Sequence, residues 1–136
     1  MTVSSSPPAA VGSVASYAFW GPDGRALADF YAAALGWRVA EEFPGEDGTP
    51  TAFLVTDGST RFVFYTAKDF TAPRWPKEEL PFHLDLTFGD VPATEERLLG
   101  LGATKPAHQP GGEYWTVLLD PSGQPFCISS GWSAES

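Results

Sequence analysis

The stretch FHLDLTF, residues 82–88, combines side chains that could do chemistry in a pattern typical of a β-strand. His83 is one of two histidines in the chain, and it alternates with Asp85 and Thr87. Apolar residues occupy the intervening positions, so one face of this strand is suited to a core. The other face carries an imidazole, a carboxylate and a hydroxyl, which suits either a solvated surface or the floor of a site.

Cys127 is the single cysteine of the chain. It lies between Phe126 and Ile128, so it is predicted either to pack as a small apolar residue or to line a pocket wall. One cysteine excludes an internal disulfide, which suits a reducing compartment. The sequence does not show the residue order of a Ser/His/Asp catalytic triad. The second histidine, His108 in KPAHQPGG, is interpreted as a loop or edge residue.

Composition excludes several classes of protein. The 136 residues suffice for one domain with a real core. A formal charge of -9 leaves no basic stripe to neutralise the phosphates of a nucleic acid. No segment approaches the roughly 20 apolar residues of a membrane helix, and the N-terminus does not resemble a secretory signal. We therefore expect a cytoplasmic protein with no nucleic-acid or membrane partner.

Two helices with matching boundaries are predicted. The helix predicted in DGRALADFYAAALGW has Asp23 as a candidate N-cap and ends at Gly36. The helix predicted in VPATEERLLGLGA has Asp90, just before this stretch, as a candidate N-cap and ends at Gly102. The two aspartates are 67 positions apart (90 − 23) and the two glycines 66 (102 − 36). This spacing indicates an internal repeat.

Short strands flank each predicted helix. VASYAFW precedes the first helix, and WRVAEEF, TAFLVT and RFVFYTA follow it. FHLDLTF precedes the second, and TKPAHQ, EYWTVLLD and PFCISS follow it. The predicted fold is therefore α+β, with two βαβββ modules. The expected boundaries are a leader over 1–13, one domain over 14–130 (first module 14–66, linker 67–81, second module 82–130) and a tail over 131–136.

This arrangement resembles the vicinal oxygen chelate superfamily, which includes glyoxalases, bleomycin-resistance proteins and dioxygenases. The motifs that carry the resemblance are DFYAAALGW, FHLDLTFGDV, LLGLGA and LLDPSGQPFCIS, and the likeness extends over about residues 14–130. It implies that the two modules form an open, barrel-like sheet around a cavity, with the helices outside. It also leads us to expect a homodimer.

Metal-using members of the superfamily take ligands, typically His and Glu, from the first and last strand of each module. The resemblance carries these positions to Ser16, Tyr65, His83 and Cys127. Neutral hydroxyls are poor metal ligands. Asp85 shares the face of His83, but two residues along a strand span about 6.6 Å, so it is not expected as a co-ligand. No metal and no cofactor are therefore expected, with a divalent metal kept as the alternative.

Aromatic residues make up 14% of the chain, and two tryptophans are candidates for pocket walls. Trp115 alternates with Val117 on one predicted strand, and Trp20 shares a face with Ser16 on another; core packing is the alternative for each. Arg61 is a candidate contact for an anionic group. The predicted ligand-binding residues are Ser16, Trp20, Arg61, Tyr65, His83, Asp85, Trp115 and Cys127; His83 is the one candidate for a catalytic role.

The sequence thus favours a metal-free protein that binds a small molecule and sequesters a cationic aromatic compound. Two enzymatic alternatives stay open: a metal-dependent lyase, isomerase or dioxygenase, and a metal-free catalyst that uses His83 as a general base. A non-catalytic interaction module with a filled interior is a third class. The sequence does not decide whether the modules pair within one chain or between subunits.

Overall fold

The computed structural model describes residues 9–131, which form an α+β fold with two helices and two mixed sheets. The first sheet has the strand order β1-β4-β3-β2, in which β1 and β4 are parallel and the other pairs are antiparallel. Its strands are β1 (Tyr17–Gly21), β2 (Arg38–Pro44), β3 (Pro50–Thr56) and β4 (Arg61–Thr66).

Both helices begin at the predicted aspartate caps. The carboxylate of Asp23 accepts a 3.1 Å hydrogen bond from the Ala26 amide at the start of α1 (Gly24–Leu35). Asp90 accepts a 3.0 Å hydrogen bond from the Ala93 amide at the start of α2 (Val91–Gly100). Each bond satisfies an amide that has no partner within the helix, so the same local chemistry begins both helices.

The second sheet is smaller than the sequence predicts. It contains β5 (Asp85–Thr87), β6 (Thr116–Leu119) and β7 (Pro125–Ser129) in the order β5-β7-β6, with β5 parallel to β7. The stretch TKPAHQ, predicted as a strand, forms only an isolated bridge between Thr104 and Leu119. Pro106 supplies no amide hydrogen for a longer ladder, which limits pairing there.

The strand predicted from Phe82 begins instead at Asp85. Leu84 still contributes, because its carbonyl accepts a 2.9 Å hydrogen bond from the Cys127 amide. Phe82 was predicted to face the core, and this was wrong: it is 90% exposed. Residues 82–84 are thus less regular than the alternating pattern indicates.

The two sheets pack through a shared core rather than joining edge to edge. In the described part of the chain no ladder connects them, so the barrel-like sheet is not closed. Core residues come from α1, α2 and the inner face of each sheet; the largest of them include Leu27, Phe64, Leu98, Leu118, Phe126 and Ile128. Each sheet therefore keeps a second face that points away from this core.

The DPSGQ turn before β7 links the two halves. Asp120 accepts hydrogen bonds from the backbone amides of Ser122 and Gln124, which closes the turn. The side-chain amide of Gln124 donates a 2.9 Å hydrogen bond to the carbonyl of Trp20 in β1. This turn therefore fixes how β7 enters its sheet relative to the first half of the chain.

Parts of the expected leader and tail, residues 1–8 and 132–136, lie outside the described residues. Between them, neither helix has the length and apolar character needed to cross a membrane.

Candidate functional site

A cavity of about 740 Å³ lies against the second sheet, on the face opposite the shared core. Strands β5, β6 and β7 contribute alternate residues to its floor, as expected for strands that use their other face for the core. Its lining comes entirely from the connector and the second half of the chain: Trp75, Leu80, His83, Asp85, Pro110, Glu113, Tyr114, Trp115, Val117, Pro125, Cys127, Ser129, Ser130 and Gly131.

Two long loops form the walls of this cavity. One is the proline-rich connector, which supplies Trp75, and the other is the loop over 105–115. The rings of Trp75 and His108 lie 5.2 Å apart, so the loops contact each other. Gln109 ties the second loop to β6, because its side-chain amide group exchanges two 2.9 Å hydrogen bonds with the backbone of Val117. The walls are therefore attached to the sheet that forms the floor.

Three polar side chains meet on the floor. The parallel register places Asp85 directly beside Cys127 on the neighbouring strand. The Nε2 atom of His83 lies 3.1 Å from Oδ1 of Asp85, and one candidate ligand atom from each of the three residues lies within 4.8 Å of the others. The expectation that Asp85 would stand apart from His83 was wrong, because His83 precedes the regular strand and its ring turns towards the carboxylate.

The thiol of Cys127 is poorly suited to nucleophilic chemistry. Burial, followed by the negative charge of Asp85, raises its pKa to about 11. At neutral pH the sulfur therefore keeps its proton, and a thiol is a far weaker nucleophile than a thiolate. Cys127 is half-buried and contributes a small, neutral surface to the cavity floor.

The charges around the cavity are negative. Asp85 and Glu113 are the acidic residues of its lining, and neither lysine nor arginine contributes to it. Arg61, predicted to meet an anionic group, lies at the exposed start of β4 and is not part of the lining. The cavity therefore favours a cationic or neutral occupant over an anionic one.

Aromatic rings supply much of the apolar wall. Trp75, Tyr114 and Trp115 all line the cavity, and Trp115 is 41% exposed. Trp115 lies just before β6 rather than within a strand. Its ring packs directly on Gly111, where an added Cβ would overlap the indole. A glycine at this position is thus required for the observed place of the indole ring.

Most predicted residues of the first half lie away from this cavity. Ser16, Trp20 and Tyr65 are not among its lining residues. Ser16 is exposed just before β1, whereas Trp20 stacks on Tyr65 with ring centroids 4.9 Å apart and an interplanar angle of 15°. This aromatic pair lies on the face of the first sheet that points away from the core. Within one chain, the structure brings together His83, Asp85, Trp115 and Cys127 only.

The metal quartet implied by the resemblance does not fit this arrangement. Two of its positions, Ser16 and Tyr65, are not at the cavity, and the Cys127 thiol holds a proton that a metal would have to displace. Among the residues described, His83, Asp85 and Cys127 are a group of nitrogen, oxygen and sulfur donors close enough to approach one ion. That set differs from the expected quartet, because it contains Asp85 and lacks Ser16 and Tyr65.

Several lining residues were not anticipated from the sequence. Trp75 and Leu80 lie in a stretch interpreted only as a connector, and Glu113 and Tyr114 begin the predicted strand EYWTVLLD but were not named as site residues. A signal was present in the tryptophan of the proline-rich connector, since disordered linking segments contain few aromatic residues. Pattern rules for strands do not report on such loop residues.

Comparison with known proteins agrees with the architecture. The family model described as a glyoxalase-like domain matches residues 17–129. No curated protein sequence matches the chain.

Solved structures with a similar fold come from several bacteria. A glyoxalase family protein from Enterococcus faecalis superposes with a TM-score of 0.61 at 22% identity, covering 86% of this chain and 96% of that one. TnmS3, an antibiotic-binding protein from Streptomyces sp. CB03234, gives a TM-score of 0.53 at 22% identity, with 88% and 96% covered. A glyoxalase/bleomycin resistance protein/dioxygenase family enzyme from Burkholderia phytofirmans PsJN gives 0.59 at 19% identity, with 83% and 94% covered. The chain therefore belongs to the glyoxalase-like domain family, within the vicinal oxygen chelate superfamily.

Proposed function

We propose that this chain is a metal-free, cytoplasmic binding protein that sequesters a flat, cationic aromatic compound in the cavity on its second sheet. The observation that carries the proposal is the lining of that cavity, where aromatic rings stand beside two carboxylates. Its volume of about 740 Å³ lies within the range of pockets that hold drug-sized molecules.

Recognition would combine stacking with charge. The indoles of Trp75 and Trp115 offer flat apolar surfaces, and a cation on the ligand would be attracted by their ring faces as well as by Asp85 and Glu113. The antibiotic-binding protein TnmS3 supports the proposal, since a similar fold is used there to bind a small molecule.

The proposal includes a homodimer that completes the site. Trp20 is 49% exposed and stacked on Tyr65, on the face of the first sheet that points away from the core. The cavity mouth also exposes aromatic surface, at Tyr114 and Trp115. Two such surfaces on one chain would be covered if the first sheet of one protomer lay over the cavity of its partner. Ser16, Arg61 and Tyr65 would then be near a bound ligand, as the sequence predicts.

Titration with proflavine, a flat cationic dye, tests this function directly. We expect it to raise the melting temperature and to quench tryptophan fluorescence. Trp115→Ala should weaken binding, whereas Leu99→Ala, which removes a similarly exposed apolar side chain from α2, outside the cavity lining, should not. A panel of cationic aromatic compounds that gives no shift at millimolar concentration would refute the proposal.

Chelation separates this function from a metal-dependent one. Protein dialysed against EDTA should bind proflavine as tightly as untreated protein. Binding that requires added zinc or manganese, with about one equivalent of metal retained per chain by elemental analysis, would favour the metal-dependent enzyme instead.

The contact between His83 and Asp85 favours one second candidate, a proton-abstracting enzyme. A carboxylate 3.1 Å from Nε2 can orient the imidazole and leave Nδ1 to act as a base. Such an enzyme would exchange an acidic C–H proton of a bound carbonyl compound with deuterium from solvent, as followed by NMR. The exchange would be lost in His83→Gln.

A further inference from the structure

We infer that Asp85 is the residue that binds the positive charge of the ligand, with His83 as its positioning partner, so that the cavity selects flat aromatic molecules that carry a protonated nitrogen. This inference rests on the proposed binding function and assigns the ligand class and its anchor. It follows from three features of the cavity floor: the location of the carboxylate, its contacts and the absence of competing cations from the lining.

The carboxylate of Asp85 is accessible from the cavity. Asp85 lies at the start of β5 and lines the cavity floor, and 57% of its side chain remains accessible. A carboxylate has about four lone-pair positions, so one contact with His83 leaves room for an ammonium donor. An ammonium–carboxylate hydrogen bond is charge-assisted and roughly twice as strong as a neutral one.

Its neighbours hold the carboxylate in place. A carboxylate oxygen only accepts, so Nε2 of His83 carries a hydrogen and donates it to Oδ1 over 3.1 Å, which fixes the side-chain orientation. On the other side, the thiol of Cys127 is neutral and adds no charge. Asp85 is therefore oriented in advance, which lowers the entropy that a ligand must overcome on binding.

The second acidic residue is less suited to be the anchor. Glu113 has a longer side chain, lies in an exposed loop, and neighbours Tyr114, which is 76% exposed. Among the described residues His83 holds the Asp85 carboxylate, whereas no hydrogen bond orients that of Glu113, so a ligand would have to order it on binding. We expect Glu113 to attract cations into the cavity and Asp85 to bind them.

The ligand class follows from the charge and the rings that share one cavity. Asp85 lies on the floor, while Trp75 and Trp115 belong to the walls. A molecule that contacts both has an aromatic ring system with a protonated nitrogen in it or close to it. Carboxylates and phosphates are disfavoured, because the described lining offers two negative charges and no lysine or arginine.

Two dyes of similar shape test the inference. Proflavine is a planar cation and acridone is a planar neutral molecule, and both are measured by isothermal titration calorimetry. The wild-type protein should bind proflavine about tenfold or more tightly than acridone. Asp85→Asn keeps the shape of the side chain and should remove most of this preference while changing the acridone affinity by less than about twofold.

Glu113→Gln is the matched comparison, since it removes one negative charge from the lining, as Asp85→Asn does, but from the loop and not from the floor. It should leave the preference for proflavine within about threefold of wild type. Asp85→Ala provides a second neutral variant, and the melting temperature of each variant shows that it is folded.

The outcomes separate the two proposals. Unchanged proflavine binding in folded Asp85→Asn and Asp85→Ala, or a loss confined to Glu113→Gln, would overturn the assignment of Asp85 and leave the binding function intact. Equal affinity of the wild type for both dyes would overturn the assignment of Asp85 and the cationic preference, and would leave only the binding of flat aromatic compounds. Failure of the wild type to bind either dye, or any other aromatic amine, would overturn both.

Discussion

The phenolic hydroxyl of Tyr31 donates a 2.7 Å hydrogen bond to Oδ2 of Asp120, a residue 89 positions later in the chain. Both side chains are buried. Burial is the main reason that the pKa of Tyr31 lies well above its ordinary value, and the negative charge of Asp120 adds to it. The bond connects α1 of the first half to the turn that leads into β7, so it links the shared core to the strand that carries Cys127.

Removal of this hydroxyl should destabilise the fold. Tyr31→Phe leaves the ring in place but deprives the buried Asp120 carboxylate of one donor, and we expect the free energy of unfolding to fall by about 1–3 kcal/mol. Urea denaturation measures this change. Tyr17→Phe, at an exposed tyrosine, is the control and should have little effect. Equal stability of Tyr31→Phe and wild type would show that the bond does not hold the halves together.

The raised pKa of Cys127 predicts slow alkylation. With a pKa of about 11, only about a thousandth of the thiol is ionised at pH 8, whereas an ordinary cysteine is substantially ionised there. Because the thiolate is the reactive form, the rate of iodoacetamide labelling should keep rising from pH 8 towards pH 11 while the protein stays folded. Mass spectrometry follows the labelling, with urea-unfolded protein as the reference. A folded-state rate that levels off near pH 9 would contradict the assignment.

A methyl group at Gly111 should damage the cavity wall. In Gly111→Ala the new Cβ would overlap the Trp115 ring, which must then move. We expect proflavine to bind about 2- to 10-fold more weakly, as for the loss of one aromatic contact. Gly100→Ala is the control, because nothing lies within 4 Å of its Cβ. Calorimetry that shows the same affinity in both variants would mean that Trp115 does not contact the ligand.

A charge on the outer face of the first sheet should dissociate the proposed dimer. Trp20→Glu introduces a carboxylate where the partner would pack, so analytical ultracentrifugation should show a shift towards monomer and calorimetry a weaker ligand affinity. Leu99→Glu changes a 39% exposed residue on α2 and should affect neither measurement. A dimer that survives Trp20→Glu unchanged would exclude this face as the interface.

Local sequence patterns determined the elements around the site. Asp23 and Asp90 act as the predicted helix caps because their carboxylates need only the amide three residues ahead. The family resemblance likewise came from short motifs, and the match over residues 17–129 confirms it. The sequence left open whether Cys127 packs or lines a pocket; in the structure Phe126 and Ile128 lie in the core and Cys127 lies at the cavity floor, as strand alternation allows. These features depend on neighbours in the chain, which the sequence displays directly.

Tertiary structure alone decided which residues share the cavity. Trp75 reaches the cavity because the connector folds over the second sheet, and Trp20 does not because its sheet packs against the core through the opposite face. The contact between His83 and Asp85 depends on where β5 begins, which alternation does not specify. Such placements result from the packing of whole sheets and loops against one another. The sequence predicted one site with residues from both halves, and packing placed only those of the second half beside this cavity within a single chain.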